Sequence, residues 1–372
     1  TVRTEAGAEI ADVVIAYQRW GELRIDASGT SNIILVEHAL TGDSNAVAWW
    51  PGIIGPGKAL DTDIYCVMCT NVIGGCSGST GPSSIHPDGA AWGSRFPGIS
   101  IRDQVSTEKQ FLDSLGIDAI TAVVGGSMGG ARCLEWSLLY PSVVRSALVM
   151  AVSARASAWQ IGIQSSQIAA IEHDPNWQGG DFHNTGRTPD QGLATARRIA
   201  HLTYRGEQEV DERFGADAQP GENPRGQFRS STQRFAVDSY LDHQAKKLVE
   251  RFCAGSYVTL TDSLNRHDIG LGRGGLNKAL ASSTVPTMVV GVDTDILYPY
   301  HQQEHLSRNL GNLLGVAKII SPVGHDAFLA EIRQVDRIIR RFRASFPPVS
   351  VKGREGSAVG TDVTDLAGYA RD

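Results

Sequence analysis

The sequence predicts an α/β fold, a mostly parallel sheet with helices on both faces and an inserted helical lid. Three observations predict it. Short β-branched runs alternate with helical patterns up to about residue 150. Strand-like runs then stop and resume only near residue 285. Between one strand and the next helix stands Gly125-Gly126-Ser127-Met128-Gly129, a G-x-S-x-G.

Residues 32–37 (Asn-Ile-Ile-Leu-Val-Glu) read as the first strand and 64–70 as the second. A helix follows over 102–115, with Val105, Phe111, Leu112 and Leu115 on its apolar side. Residues 119–124 are a third strand, 128–140 a helix ended by Pro141, and 146–151 a fourth strand. Strands at 285–292 and 316–320 and a helix at 335–346 close the pattern. Between them, helical periodicity marks 158–173, 189–204, 239–254 and 257–265, separated by Gly-, Pro- and Asn-rich loops. The expected organisation is a core from 1–154 and 284–347 and a lid from 155–283. The Gly-rich, polar tail 348–372 is expected to be disordered.

Length and composition bound the function. A chain of 372 residues buries a large core without disulfide staples. Net charge is −6 and no Lys/Arg stripe exists, which argues against nucleic acid as a partner. No apolar run approaches the ~20 residues of a membrane span, and no basic-then-apolar leader opens the sequence. Five cysteines, an odd count, read as reduced thiols of a cytoplasmic protein. Cys66 and Cys69 form a C-x-x-C, but within a strand they point to opposite faces as two buried thiols.

The chemistry centres on Ser127. A sharp strand-to-helix turn needs neighbours that are nearly side-chain-free, and it lifts the Ser hydroxyl clear at a helix N-terminus. The Met128 N–H would face a developing oxyanion, and the Leu40 N–H, in the loop after the first strand, is its natural partner. A Ser nucleophile needs a base and an acid that orients it, in the order Ser, acid, His along the chain. His325, just past the strand at 316–320, is the one His of ten with that placement. Asp293 or Asp295 ends the strand at 285–292; Asp295 is preferred, and the other would cap the loop. His38 reads as a loop-packing residue.

Other motifs carry less. Residues 52–59 match G-x-x-x-x-G-K, but Ala59 replaces the metal-binding hydroxyl and no strand precedes it. His301 and His305 lie at i, i+4 in an H-x-x-E-H without an evident third ligand, so no metal is expected. Residues 270–275 are Gly-rich but follow no strand.

With these residues in view, the sequence resembles the homoserine O-acetyltransferases, acyltransferases of the α/β-hydrolase fold. The resemblance runs through residues 38–45, 54–63, 71–82, 101–105, 125–130, 295–299 and 324–329. The most specific segment is Asn71-Val72-Ile73-Gly74-Gly75-Cys76-Ser77-Gly78-Ser79-Thr80-Gly81-Pro82. It implies Ser127, Asp295 and His325 as triad. It also implies acetyl-CoA as acyl donor, with no further cofactor, and L-homoserine as acceptor. A ping-pong route through acetyl-serine, a place in methionine biosynthesis and a homodimer packed through the helical lid complete what it implies. Arg197, His201 and Tyr204 share a face at i, i+4, i+7 of a lid helix. The resemblance makes Arg197 and Tyr204 homoserine-binding and matches Asp326 to the group that meets the ammonium. Asn71 would shape the substrate wall near the elbow. The same triad would serve a succinyl donor, a serine acceptor or plain ester hydrolysis.

Overall fold

The computed structural model describes residues 1–26, 28–227 and 232–346. The tail read as disordered lies outside them. Seven strands form the main sheet: β1 (Tyr17–Trp20), β2 (Ile33–Glu37), β3 (Cys66–Thr70), β4 (Ala122–Gly126), β5 (Ala147–Met150), β6 (Thr287–Val292) and β7 (Leu313–Ile319). Their order is β7-β6-β5-β4-β2-β3-β1, and every pairing is parallel except that of β1 with β3.

The strands β2 to β6 are buried along their whole length, as a parallel sheet covered on both faces requires. In β3, Cys66 and Met68 enter one apolar cluster while Val67 and Cys69 enter the other. The two thiols thus lie on opposite faces. On the first face pack α1 (Ile101–Ser114), through Val105 and Leu112, and α2 (Met128–Leu139), through Leu134 and Trp136. Ser100 caps α1 in a reciprocal box with Asp103.

Between β5 and β6 run α3 (Ala158–Glu172), α4 (Asp190–Tyr204), α5 (Glu207–Phe214), α6 (Ala236–Val249) and α7 (Ala254–Asn265). Leu193, Leu248, Tyr257 and Leu260 of these helices join the cluster on the first face, so the insertion shares that core. Then follow α8 (Tyr300–Asn309) and α9 (Ile332–Ala344). Val335, Ile339 and Phe342 of α9 cover the second face.

Three sequence expectations shift. The break expected between the helices at 239–254 and 257–265 falls earlier: α6 stops at Val249 and α7 starts at Ala254. No Gly or Pro marks this break. It follows from tertiary contacts, since Phe252 is buried and Arg251 reaches the Thr41 carbonyl at 2.9 Å. The strand expected at 119–124 runs instead over Ala122–Gly126, because Gly125 and Gly126 pair with Glu37 and Met150 rather than turning. The edge strand β1 escaped notice because Tyr-Gln-Arg-Trp has no apolar alternation.

Candidate active site

Ser127 sits between β4 and α2 with φ +57°, a left-handed conformation that a non-glycine residue holds only under constraint. The constraint is visible. Its N–H donates to the Met150 carbonyl at 3.0 Å, and its carbonyl accepts from Ala131 at 3.0 Å. The turn closes only because Gly129 has no side chain: a Cβ there would lie 2.0 Å from the Glu37 carbonyl oxygen.

The loop after β7 brings His325 to this elbow. His325 Nε2 lies 2.9 Å from Ser127 Oγ, and Nδ1 lies 2.6 Å from Asp295 Oδ2. Asp295 Oδ1 accepts the N–H groups of Leu297 and Tyr298, both at 2.8 Å, which fixes the carboxylate. Asp293 accepts the Ser321 N–H at 3.0 Å and so ties two loops. All three groups of the relay are buried. Burial works against charge on His325, but the Asp295 charge and hydrogen bond, with Asp326 behind them, leave its pKa above the ordinary imidazole value.

The proposed oxyanion donors follow from strand register. Glu37 pairs with Gly125 across β2 and β4. Leu40 and Met128 each lie three residues beyond that pair. Neither spends its N–H on another group among the described residues.

The helix α4 supplies the other wall. The Tyr204 ring lies tilted 5.8 Å from the His325 ring, and the Arg197 guanidinium stands 5.5 Å over the Tyr204 ring. Arg197 makes no ion pair among the described residues, and its buried Nε has no hydrogen-bond partner. A guanidinium without an ion-pair partner, held over the tyrosine that meets the His325 ring, is a ready site for a carboxylate. His201, on the same helix face, is committed elsewhere, 2.6 Å from the Tyr240 hydroxyl. Asp326 lies 4.0 Å from Arg205; burial raises its pKa against the pull of His325 and Arg197.

Asn71 stands apart from these groups. Its Oδ1 accepts the Ser44 N–H at 2.6 Å, and its Nδ2 donates to Ser44 Oγ and the Ser77 carbonyl. Both amide hydrogens are spent, so Asn71 ties the loop after β2 to the loop after β3 and keeps no donor for a ligand.

One buried group went unnoticed in the sequence. Under the elbow, Arg132 of α2 pairs with both Glu37 and Glu108, all three inaccessible to solvent. Trp136 Nε1 donates to Glu37 at 2.9 Å and to Glu108 at 3.1 Å. Burial pushes the Glu37 carboxyl well above the carboxylate range, with Arg132 opposing. The only sequence signal was a Glu ending an apolar strand. Among the described residues no cluster of three or more His, Cys, Asp or Glu could hold a metal, and no helix is long and apolar enough to cross a membrane.

A doubly covered parallel sheet with a Ser at its strand-to-helix elbow, in line with a His and an Asp from later strand ends, defines an α/β hydrolase. Residues 32–331 match the family model described as alpha/beta hydrolase fold. The chain is 70% identical over 347 residues to the homoserine O-acetyltransferase of Corynebacterium efficiens, covering 93% of this chain and 92% of that one. Identity to the Corynebacterium glutamicum homoserine O-acetyltransferase is 69% over the same shares. The chain therefore belongs to the homoserine O-acetyltransferase family. Among solved structures, homoserine O-acetyltransferase from Bacillus anthracis superposes with a TM-score of 0.81 at 25% identity, covering 91% of this chain and 94% of that one. Esterase E22 superposes with a TM-score of 0.82 at 25% identity, covering 91% and 96%.

Proposed function

We propose that this protein transfers the acetyl group of acetyl-CoA to the hydroxyl of L-homoserine, through an acetyl-Ser127 intermediate, in methionine biosynthesis. The observation that carries the acceptor assignment is the Arg197 guanidinium, without an ion-pair partner among the described residues, over the Tyr204 ring that meets His325. Ester hydrolysis has no use for a fixed cation there, whereas an amino-acid acceptor presents a carboxylate.

His325 Nε2 takes the Ser127 proton as Oγ attacks the thioester carbonyl. The Leu40 and Met128 N–H groups receive the oxyanion. The C–S bond breaks, the CoA sulfur leaves with the proton from His325, and the acetyl ester remains on Ser127. Homoserine then binds with its carboxylate on Arg197, its ammonium toward Asp326 and its backbone against Tyr204. His325 removes its hydroxyl proton, the oxygen attacks the ester, and Ser127 leaves with the proton returned by His325. Water competes at this stage. An oriented acceptor prevails because positioning is worth effective molarities of about 10⁵–10⁸ M. Asp295 holds the imidazole in the required tautomer and offsets its charge.

The esterase reading has its own support, since an esterase superposes as well as an acetyltransferase does. A donor–acceptor matrix separates the two: acetyl- and succinyl-CoA against homoserine, serine and water, with intact-mass analysis of Ser127. The expected result is acetyl on Ser127 with acetyl-CoA and its transfer to homoserine. Release as acetate despite homoserine would favour the esterase.

Two coarser features complete the proposal. Five free thiols suit a reducing, cytoplasmic setting. Exposed Trp159 and Ile161 on α3 and Leu202 on α4 suit a homodimer through the helical insertion, which sedimentation tests directly.

A further inference from the structure

We propose that His38 is a positioning residue for the oxyanion site: its imidazole fixes the Ala39–Leu40 peptide and thereby aims the Leu40 N–H. The inference rests on the reading of Leu40 as an oxyanion donor and explains what keeps that donor in place.

A packing histidine fills space and satisfies whichever nitrogen it must. His38 is different because both ring nitrogens are committed to backbone, in opposite directions. Nδ1 lies 2.7 Å from the Ala39 carbonyl oxygen, and Nε2 lies 3.1 Å from the Val72 nitrogen. Val72 N–H can only donate, so Nε2 is the bare nitrogen and Nδ1 carries the proton. That proton is directed at Ala39 C=O. Burial drives the His38 pKa down to about 3, so one tautomer serves the whole working range.

The Ala39 carbonyl shares its peptide unit with the Leu40 N–H. A trans peptide is rigid and planar, with C=O and N–H pointing opposite ways. Holding the oxygen therefore aims the hydrogen. The oxygen has a second holder, the Gly42 N–H at 2.9 Å. That turn depends on position 42 being glycine: a Cβ there would lie 2.9 Å from His38 Cβ and 3.2 Å from the Ala39 oxygen. Two donors on one carbonyl also polarise the peptide, which strengthens the N–H as a donor. Through Val72 the device is anchored to the segment that leaves β3, in the same sheet that carries the elbow.

The test separates the two nitrogens. His38→Asn keeps a donor where Nδ1 stands. His38→Gln keeps an acceptor near Nε2, and His38→Leu keeps neither. Rapid-quench acylation of Ser127 by acetyl-CoA is the readout, with steady-state kcat and KM and a melting curve for each variant. His38→Asn should acylate within about fivefold of the native enzyme, since the donor to Ala39 survives. His38→Gln and His38→Leu should acylate about 10–100-fold more slowly, below the 10²–10³ for a deleted donor, with KM for both substrates within about twofold. If His38→Leu does not fold, the Asn–Gln pair carries the comparison. An Asn variant as slow as Gln, or losses that appear in KM, would overturn the proposal. Absence of acetyl-Ser127 in the native enzyme would instead remove the underlying mechanism. A native burst with a flat His38 series removes only the role given to His38.

Discussion

The peptide N–H of Asp326 donates to the Tyr204 carbonyl at 3.0 Å, which joins the loop carrying His325 to the end of α4. The Gly206 N–H returns the tie to the Val323 carbonyl at 2.8 Å. The base and the proposed acceptor-binding side chains are thus one mechanical unit. Gly206 sits at the seam, and a Cβ there would come 2.0 Å from the Pro322 carbonyl oxygen. Gly206→Ala is expected to raise KM for homoserine about tenfold, equivalent to ~1.4 kcal/mol, while acylation by acetyl-CoA changes less. Quench-flow of the two half-reactions checks this; equal losses in both would contradict it.

Among the described residues Arg197 has no carboxylate in ion-pair contact, and its buried Nε has no hydrogen bond. A charged hydrogen bond to substrate is worth about 1.5–3 kcal/mol, so Arg197→Met should raise KM for homoserine by roughly 10–150-fold. Acylation by acetyl-CoA should be untouched. The native enzyme should discriminate strongly against an amino alcohol lacking the carboxylate, and the variant should not. Steady-state kinetics with both acceptors measures the coupling.

The pH dependence follows from Asp295. The base must be neutral to act, and the net shift on His325 is upward. Acylation should therefore fall on the acid side through a pKa above the usual 6.5. The stability term runs the other way. A pKa raised in the folded state stabilises fully below the unfolded value and loses that contribution as pH rises through the folded value. In Asp295→Asn burial dominates, so the acid limb should move to lower pH. The melting-temperature gap to the native protein should narrow as pH rises. An unmoved acid limb would separate the titration from His325.

The elements that place Ser127 were legible because each has local cause. A β-branched run, a Gly-Gly pair and a helix ended by Pro141 follow one another from residue 119 onward. His325 and Asp295 were legible from their places at strand ends. What sequence could not show depended on distant contacts. The earlier place of the break between α6 and α7 is set by Phe252 and Arg251 reaching other parts of the chain. The spent amide of Asn71 depends on Ser44 and Ser77. His38 looked like packing because both its partners are backbone groups, which leave no mark on residue identity.

The elbow itself stores strain that a substitution can release. Ser127 holds φ +57° with ψ −124°, a sparsely populated conformation that costs an L-residue about 1–3 kcal/mol and glycine almost nothing. Ser127→Ala and Ser127→Gly should both lose transferase activity by at least about 10³-fold, since both lack the nucleophile. Their stabilities should differ: Gly should not carry the strain that Ala keeps. Glycine's larger unfolded-state entropy offsets part of the gain, about 0.5–1 kcal/mol. Denaturant titration should place Ser127→Gly level with or above Ser127→Ala, the reverse of the order in an ordinary helix or strand.

Beneath that turn, Arg132 is the only cation shared by two buried carboxyls, Glu37 and Glu108, among the described residues. Removing one partner of such a group leaves the others buried without compensation, at about 3–5 kcal/mol. Arg132→Met should lose that much by denaturant unfolding at pH 8. The loss should shrink toward pH 5, because protonation relieves carboxyls that no longer face a cation. Glu37→Gln is the informative companion. The Glu37 carboxyl is already pushed well up by burial, and its Oε1 accepts from Trp136, a bond a Gln oxygen can keep. Its cost should stay below about 1 kcal/mol. If Glu37→Gln proved as damaging as Arg132→Met, Glu37 would have to be ionised, and Arg132 would be balancing two full charges directly under the nucleophile.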